Sequence, residues 1–137
     1  MALAKNLPKL DWEKIKWEKT PYEGVFIFRV DEESDPDNLK VPKHTIMALR
    51  VDPTFNIPLH KHKREPEWRE VITFPRGGNF EIKRIDSLET IVNTKKFTVE
   101  VLPNQAFGLK NNDSKPLFFY SRMEPGFTGY EEIEEIK

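Results

Sequence analysis

Two of the three histidines in the 137-residue chain stand two apart, as His60-Lys61-His62, and Glu70 follows shortly after them. On a strand, residues two apart share a face, so both imidazoles can converge on one ion. A carboxylate added to two imidazoles makes the set typical of non-haem iron and related sites. Glu70 would reach that point if its strand paired with the His60–His62 strand as a hairpin, and Glu67 offers an alternative register. The same spacing suits a solvated or structural histidine pair, and spacing alone leaves both readings open. The chain has no cysteine, which removes disulfides, thiolate nucleophiles and Cys-based metal sites. Any divalent ion, with Fe, Mn, Zn or Ni as the candidates, must therefore be held by His, Asp, Glu or amide oxygen.

Other chemistry is poorly supported. The six glycines form no phosphate-binding loop, which disfavours nucleotide hydrolysis. None of Ser34, Ser87, Ser114 and Ser121 sits in a nucleophile elbow. Lys61, Lys63, Arg64 and Arg69 are interrupted by Glu65, Glu67 and Glu70, as on a solvated hairpin of mixed charge. Arg76-Gly77-Gly78 reads as a hairpin turn. His44 reads as a strand-start residue satisfied by solvent or backbone.

The elements that must position these groups are strands. Eleven prolines separate short, alternating apolar runs. Strands are expected over 24–30, 44–51, 59–62, 70–74, 79–85, 88–93, 96–102 and 117–122. The acidic stretch from Asp31 to Asn38 should end the first of them. Helical content is confined to the ends: a brief helix over 10–19, stopped by Pro21, and one or two turns, or a frayed acidic tail, over 130–137. About eight strands with short connections favour a closed or double-sheet all-β domain.

The composition bounds the rest. With 22 basic and 23 acidic residues, a net charge of −1 provides no global field for nucleic acid or a membrane surface. No long apolar run begins the chain, so a cytoplasmic protein is expected. The length suits one domain, 1–137, with a core barrel at about 41–122, an N-terminal segment 1–40 and a C-terminal tail 123–137.

The stretch from Pro53 through His60-Lys61-His62 and on to Glu70-Val-Ile-Thr-Phe-Pro-Arg-Gly77 resembles the first motif of the cupin superfamily, G-x5-H-x-H-x3–4-E-x6-G. The His-x-His pair, a proline-containing turn upstream and the Glu70-to-Gly77 spacing fit. Thr54 replaces the first glycine, and the His62-to-Glu70 interval is longer than the motif's. The Glu67 register shortens that interval but loses the glycine spacing. A second motif maps onto Phe97 to Asn111, keeping Pro103 and Asn111. Phe97 and Gln105 stand for its glycines, and Phe107 stands for its metal-binding histidine. The resemblance covers 41–119.

That resemblance implies a jelly-roll β-barrel, often dimeric, with a ligand site inside. His60, His62 and Glu70 would hold a divalent ion as a three-ligand site, or Phe107 would turn the cavity into an apolar pocket together with Phe74 and Gln105. Phe26, Phe28, Phe80, Phe118, Phe119 and Tyr120 are further candidates for its lining. The expected function is a cupin-like small-molecule-binding protein, a homodimer with no nucleic-acid or membrane partner. The alternatives are a metal-dependent dioxygenase or isomerase of a small polar metabolite, and a metal-free sugar isomerase or epimerase with His60 or His62 as base.

Overall fold

A computed structural model describes residues 7–93 and 95–136, and it folds as two antiparallel sheets packed face to face. The strands are β1 (Glu18–Lys19), β2 (Val25–Glu33), β3 (His44–Val51), β4 (Asn56–His62), β5 (Arg69–Phe74), β6 (Gly78–Lys83), β7 (Leu88–Asn93), β8 (Phe97–Val101), β9 (Phe107–Asn111), β10 (Leu117–Glu124) and β11 (Ile133–Glu135). One sheet has the order β1-β2-β3-β10-β5-β8 and the other β11-β4-β9-β6-β7. The all-β jelly-roll architecture is the one expected. The sheets also take in β2 and β11, which lie outside the 41–122 barrel core anticipated from the sequence. Among the described residues no helix is long and apolar enough to cross a membrane.

Alternation along the strands sorts the side chains into two layers. On β10, Phe119 and Met123 join the core between the sheets, while Phe118 and Tyr120 point to the opposite face. The inter-sheet core contains Trp68, Phe74, Phe80, Ile82 and Leu109, all buried. Phe74 of β5 and Phe80 of β6 stack across the two sheets at 4.2 Å between ring centroids.

The outer face of the six-stranded sheet is covered by the N-terminal segment, and that explains why no helix forms over 10–19. Residues five apart lie about 140° apart around a helix. Yet Trp12 and Trp17 both lie on Phe118, with ring centroids 5.2 and 6.0 Å away. A turn at Asp11–Lys14, closed by the Lys14 N–H on the Asp11 carbonyl, followed by extended chain lays both indoles flat on the sheet. The C-terminal end also differs from a helical tail. A single 3-10 turn, Tyr130–Glu132, leads into β11, which pairs with β4 through Ile133↔His62 and Glu135↔His60.

Two connections depart from the hairpin expectation. β4 and β5 belong to opposite sheets, so the charged loop between them crosses the barrel rather than forming a hairpin tip. Likewise Pro75-Arg76-Gly77 carries the chain from β5 in one sheet to β6 in the other. The first strand runs on through the acidic residues to Glu33, with a register shift between Arg29 and Asp31. There His44 bridges Asp31 at 3.1 Å and Glu33 at 3.6 Å, so carboxylates rather than backbone satisfy it.

Candidate functional site

A cavity of about 70 Å³ lies between the sheets. Its walls are largely apolar, with Ile27, Met47, Leu49, Phe119, Met123 and Phe127 among them. The polar groups are His60, His62, Glu70 and Ser121, with Thr20, Tyr22 and Tyr130 also in the lining. The crossing loop makes this convergence possible: β4 brings both histidines from one sheet, and β5 brings Glu70 from the other.

His60 is positioned by an irregularity in its own strand. The β4–β9 register shifts between Ile57 and His60, and Pro58 lies in that interval. Proline lacks the N–H that a regular ladder would need, so a bulge is where a strand tolerates it. Opposite stands Gly108, where a Cβ would come within 3.1 Å of the Leu59 backbone nitrogen; the bare glycine lets β9 approach so closely. The bulge leaves the Pro58 carbonyl to accept from His60 Nδ1 at 2.8 Å. Burial holds the His60 imidazole below its ordinary pKa; the bond to Pro58 and the Glu70 charge pull it up, and His62 pulls it down. His60 is therefore kept neutral, with Nδ1 protonated and Nε2 as the acceptor.

His62 is anchored by a residue from the far end of the chain. Its Nδ1 donates to Glu132 Oε2 at 2.6 Å, and Trp68 stacks on the ring with centroids 4.9 Å apart. The second oxygen of Glu132 accepts from Arg64 Nη1 at 2.9 Å, from the Thr128 N–H at 3.0 Å and from the Thr128 hydroxyl at 2.9 Å. Burial pushes the Glu132 carboxyl up, but the bonds from His62 and Thr128 and the charges of His62 and Arg64 outweigh it and hold the carboxyl below its usual range. The Arg64 side chain is only 4% exposed, so it leaves the solvated basic cluster expected from the sequence and serves as an internal clamp. It also donates to the Gly126 carbonyl at 2.8 Å.

On the opposite wall, Glu70 is buried and accepts a short hydrogen bond from the Ser121 hydroxyl. His62 Nε2 stands 3.8 Å from the other Glu70 oxygen. Phe107 pairs with His60 across β4 and β9, its ring edge-on at 6.4 Å, and it closes that corner of the cavity. Among the described residues no group of three or more His, Asp or Glu is arranged to hold a metal ion.

His60, His62, Glu70 and Phe107 thus share the cavity. Glu67 lies instead in an open surface groove with Glu65, Arg69 and Glu124. Phe74 belongs to the core stack and is absent from the lining, because the alternation that points Glu70 and Ile72 at the cavity carries Phe74 further along the sheet toward Phe80. Gln105 lies outside the cavity and closes a turn by accepting from the Leu102 N–H at 3.1 Å. Of the other aromatic candidates, only Phe119 reaches the lining. Thr54, at the motif's glycine position, has φ 71°, a left-handed conformation unusual for a β-branched residue. In the second motif the left-handed residue is Asn104, φ 61°, rather than Gln105. Asn111 is fully buried; its Nδ2 donates to the Val51 and Lys115 carbonyls, a structural role.

Glu132, Arg64 and Ser121 carry the site and were not singled out as site residues from the sequence. Nothing in the acidic run Glu131-Glu132-Ile133-Glu134-Glu135 distinguishes the one buried member.

The charge states give a signed pH dependence. A histidine held low in the folded state contributes stability that is present above its unfolded pKa of about 6.5 and lost as pH falls from there through its lower folded value. Glu132, also held low, contributes stability present above the ordinary carboxylate range and lost as pH falls below that range. Thermal melts are expected to show Tm declining in two steps on acidification. The first step is expected to shrink in His60→Asn, and an undiminished step would refute the assignment.

The comparisons with known proteins agree with this architecture. No protein-family model matches the chain, and no curated protein matches it. Among solved structures, the chain is similar to the polyketide cyclase RemF from Streptomyces resistomycificus, at TM-score 0.67 and 12% identity, over 96% of this chain and 86% of that one. It is also similar to a double-stranded β-helix protein from Klebsiella pneumoniae, at TM-score 0.62 and 18% identity, covering 87% and 90%. A third likeness is to an RmlC-like cupin from Shewanella frigidimarina, at TM-score 0.56 and 12% identity, covering 82% and 86%.

Proposed function

We propose that this chain, whose fold is that of the cupins, binds a small and predominantly apolar organic molecule between its sheets. The observation that supports the reading is the distribution of groups in the cavity: apolar walls with one polar cluster at His60, His62 and Glu70. Such a site takes a ligand with an apolar body and one hydroxyl or carbonyl, oriented by a few placed polar groups. Phe107 favours that ligand by adding an apolar ring to the lining.

A second reading, metal-free acid–base chemistry on the bound molecule, is favoured by the His62–Glu132 bond. With Nδ1 fixed on a carboxylate, Nε2 is the nitrogen of His62 that would take a proton, and Glu132 would stabilise the imidazolium so formed. The structural likeness to a polyketide cyclase suits a carbonyl-bearing ligand for either reading.

Ligand-observed NMR with a panel of small aromatic ketones and phenols tests the proposal. Binding is expected in the wild type, unchanged by chelator and lost in Phe107→Trp, whose larger ring fills the cavity. An unaffected Phe107→Trp, or binding that depends on added metal, would refute it. Substrate consumption lost in His62→Gln separates the second reading from simple binding.

A further inference from the structure

We propose that the mouth of the cavity is a site for a primary ammonium, held by Glu135 of β11 and the free Nε2 of His60, with Glu18 of β1 across from them. The inference rests on the reading of the cavity as a ligand site and names the ligand as an amine. β1 and β11 are edge strands, one from each sheet. Beside them the lining residues Tyr22, Tyr130 and Ile133 are only partly buried, so the cavity meets solvent there.

Strand register places both carboxylates. Residues paired directly across an antiparallel ladder share a face of the sheet. Glu135 is paired with His60 and Glu18 with Ile27, and both His60 and Ile27 line the cavity. The alternate residues turn outward: Glu134 meets Lys61 at 3.3 Å, and Lys19 is paired with Phe26, whose ring lies against Arg50. Glu18 and Glu135 are exposed, and neither has a cationic partner among the described residues. Their charges reach the cavity. Burial pushes the Tyr22 phenol up and Glu135 adds to it; burial also pushes the Tyr130 phenol up, with Glu18 and Tyr22 adding to it. Arg29 opposes them at Tyr130, but it is ion-paired with Glu32.

The second observation is His60 itself. It is only 7% exposed and lines the cavity, and with Nδ1 on the Pro58 carbonyl its Nε2 has no hydrogen-bond partner among the described residues. A neutral imidazole nitrogen beside carboxylates is a set of acceptors, so the ligand must bring the donors. An ammonium brings several N–H groups and the complementary charge. The rings of Tyr22 and Tyr130 suit a cation as well. An alcohol or ketone answers His60 alone, and a carboxylate is repelled.

Ligand-observed NMR titrations with benzylamine, benzyl alcohol and benzoate at neutral pH test the assignment. The amine is expected to bind about fivefold more tightly than the alcohol, and benzoate more weakly than either. The amine-to-alcohol ratio is expected to fall to about one in Glu18→Gln/Glu135→Gln, to fall part-way in Glu135→Gln, and to hold in Glu134→Gln on the outer face of the same strand. Circular dichroism establishes that each variant is folded. A wild-type ratio near one, a ratio unmoved by the double variant, or an equal fall in Glu134→Gln would overturn the ammonium site while leaving the cavity as a ligand site. Binding of none of the three compounds would overturn both.

Discussion

Replacing Glu132 with Ala is expected to destabilise the fold by about 3–5 kcal/mol, the usual consequence of removing one partner from a buried ion pair. The carboxylate is the common acceptor for His62, Arg64 and Thr128. Its loss leaves the Arg64 guanidinium, whose side chain is 4% exposed, with Glu65 as its remaining acidic partner, and leaves the His62 N–H without an acceptor. Chemical denaturation should show the loss directly, and Tm should fall by on the order of 10–20 °C. Glu132→Gln keeps the volume and one acceptor, so it should lie between the two. A Glu132→Ala protein as stable as the wild type would mean that the carboxylate carries no net weight in the fold.

The second large effect is expected at Phe80. Its ring is fully buried, stacks on Phe74 at 4.2 Å and meets Phe97 edge-on at 6.2 Å. Phe80→Ala removes the face-to-face contact that ties the two sheets together and leaves a cavity, at a cost of about 3–5 kcal/mol. Because Phe80 does not line the ligand cavity, the folded fraction of Phe80→Ala should retain ligand binding in the cold. Phe107→Trp should show the reverse, stability largely kept and binding lost. Urea titration and ligand-observed NMR on the same two proteins would distinguish these outcomes, and a Phe80→Ala protein that loses binding while fully folded would contradict the separation.

The strands were legible where apolar residues alternate, as in Phe97–Val101, and where short apolar runs stand between turn residues, as over 44–51 and 117–122. The sequence hid β9 because Phe107-Gly-Leu-Lys-Asn111 is short, and its glycine reads as turn chemistry although it serves as a close-approach position against β4. In the N-terminal segment Trp12 and Ile15 stand at helical spacing, yet packing of Trp12 and Trp17 on the sheet keeps the chain extended. His60 and His62 were legible as a pair, since a spacing of two fixes a shared strand face; Glu70 joined them through an expected hairpin that the fold replaces with a crossing loop, and Phe107 through the cupin resemblance. Glu132 was not: its partner lies seventy positions earlier, and a pairing at that separation leaves no local pattern.

The docking of β11 gives the cavity a thermodynamic link to the far end of the chain. Three residues of β11 pair with β4, beside the Glu132 clamp, and a local opening that releases both exposes far less of the chain than global unfolding does. Each opening withdraws Tyr130 and Ile133 from the cavity wall and unhooks Glu132 from His62. A molecule held in the cavity therefore binds the closed form preferentially. It should slow deuterium uptake at Ile133–Glu135 in proportion to its occupancy, including at amides that it never touches.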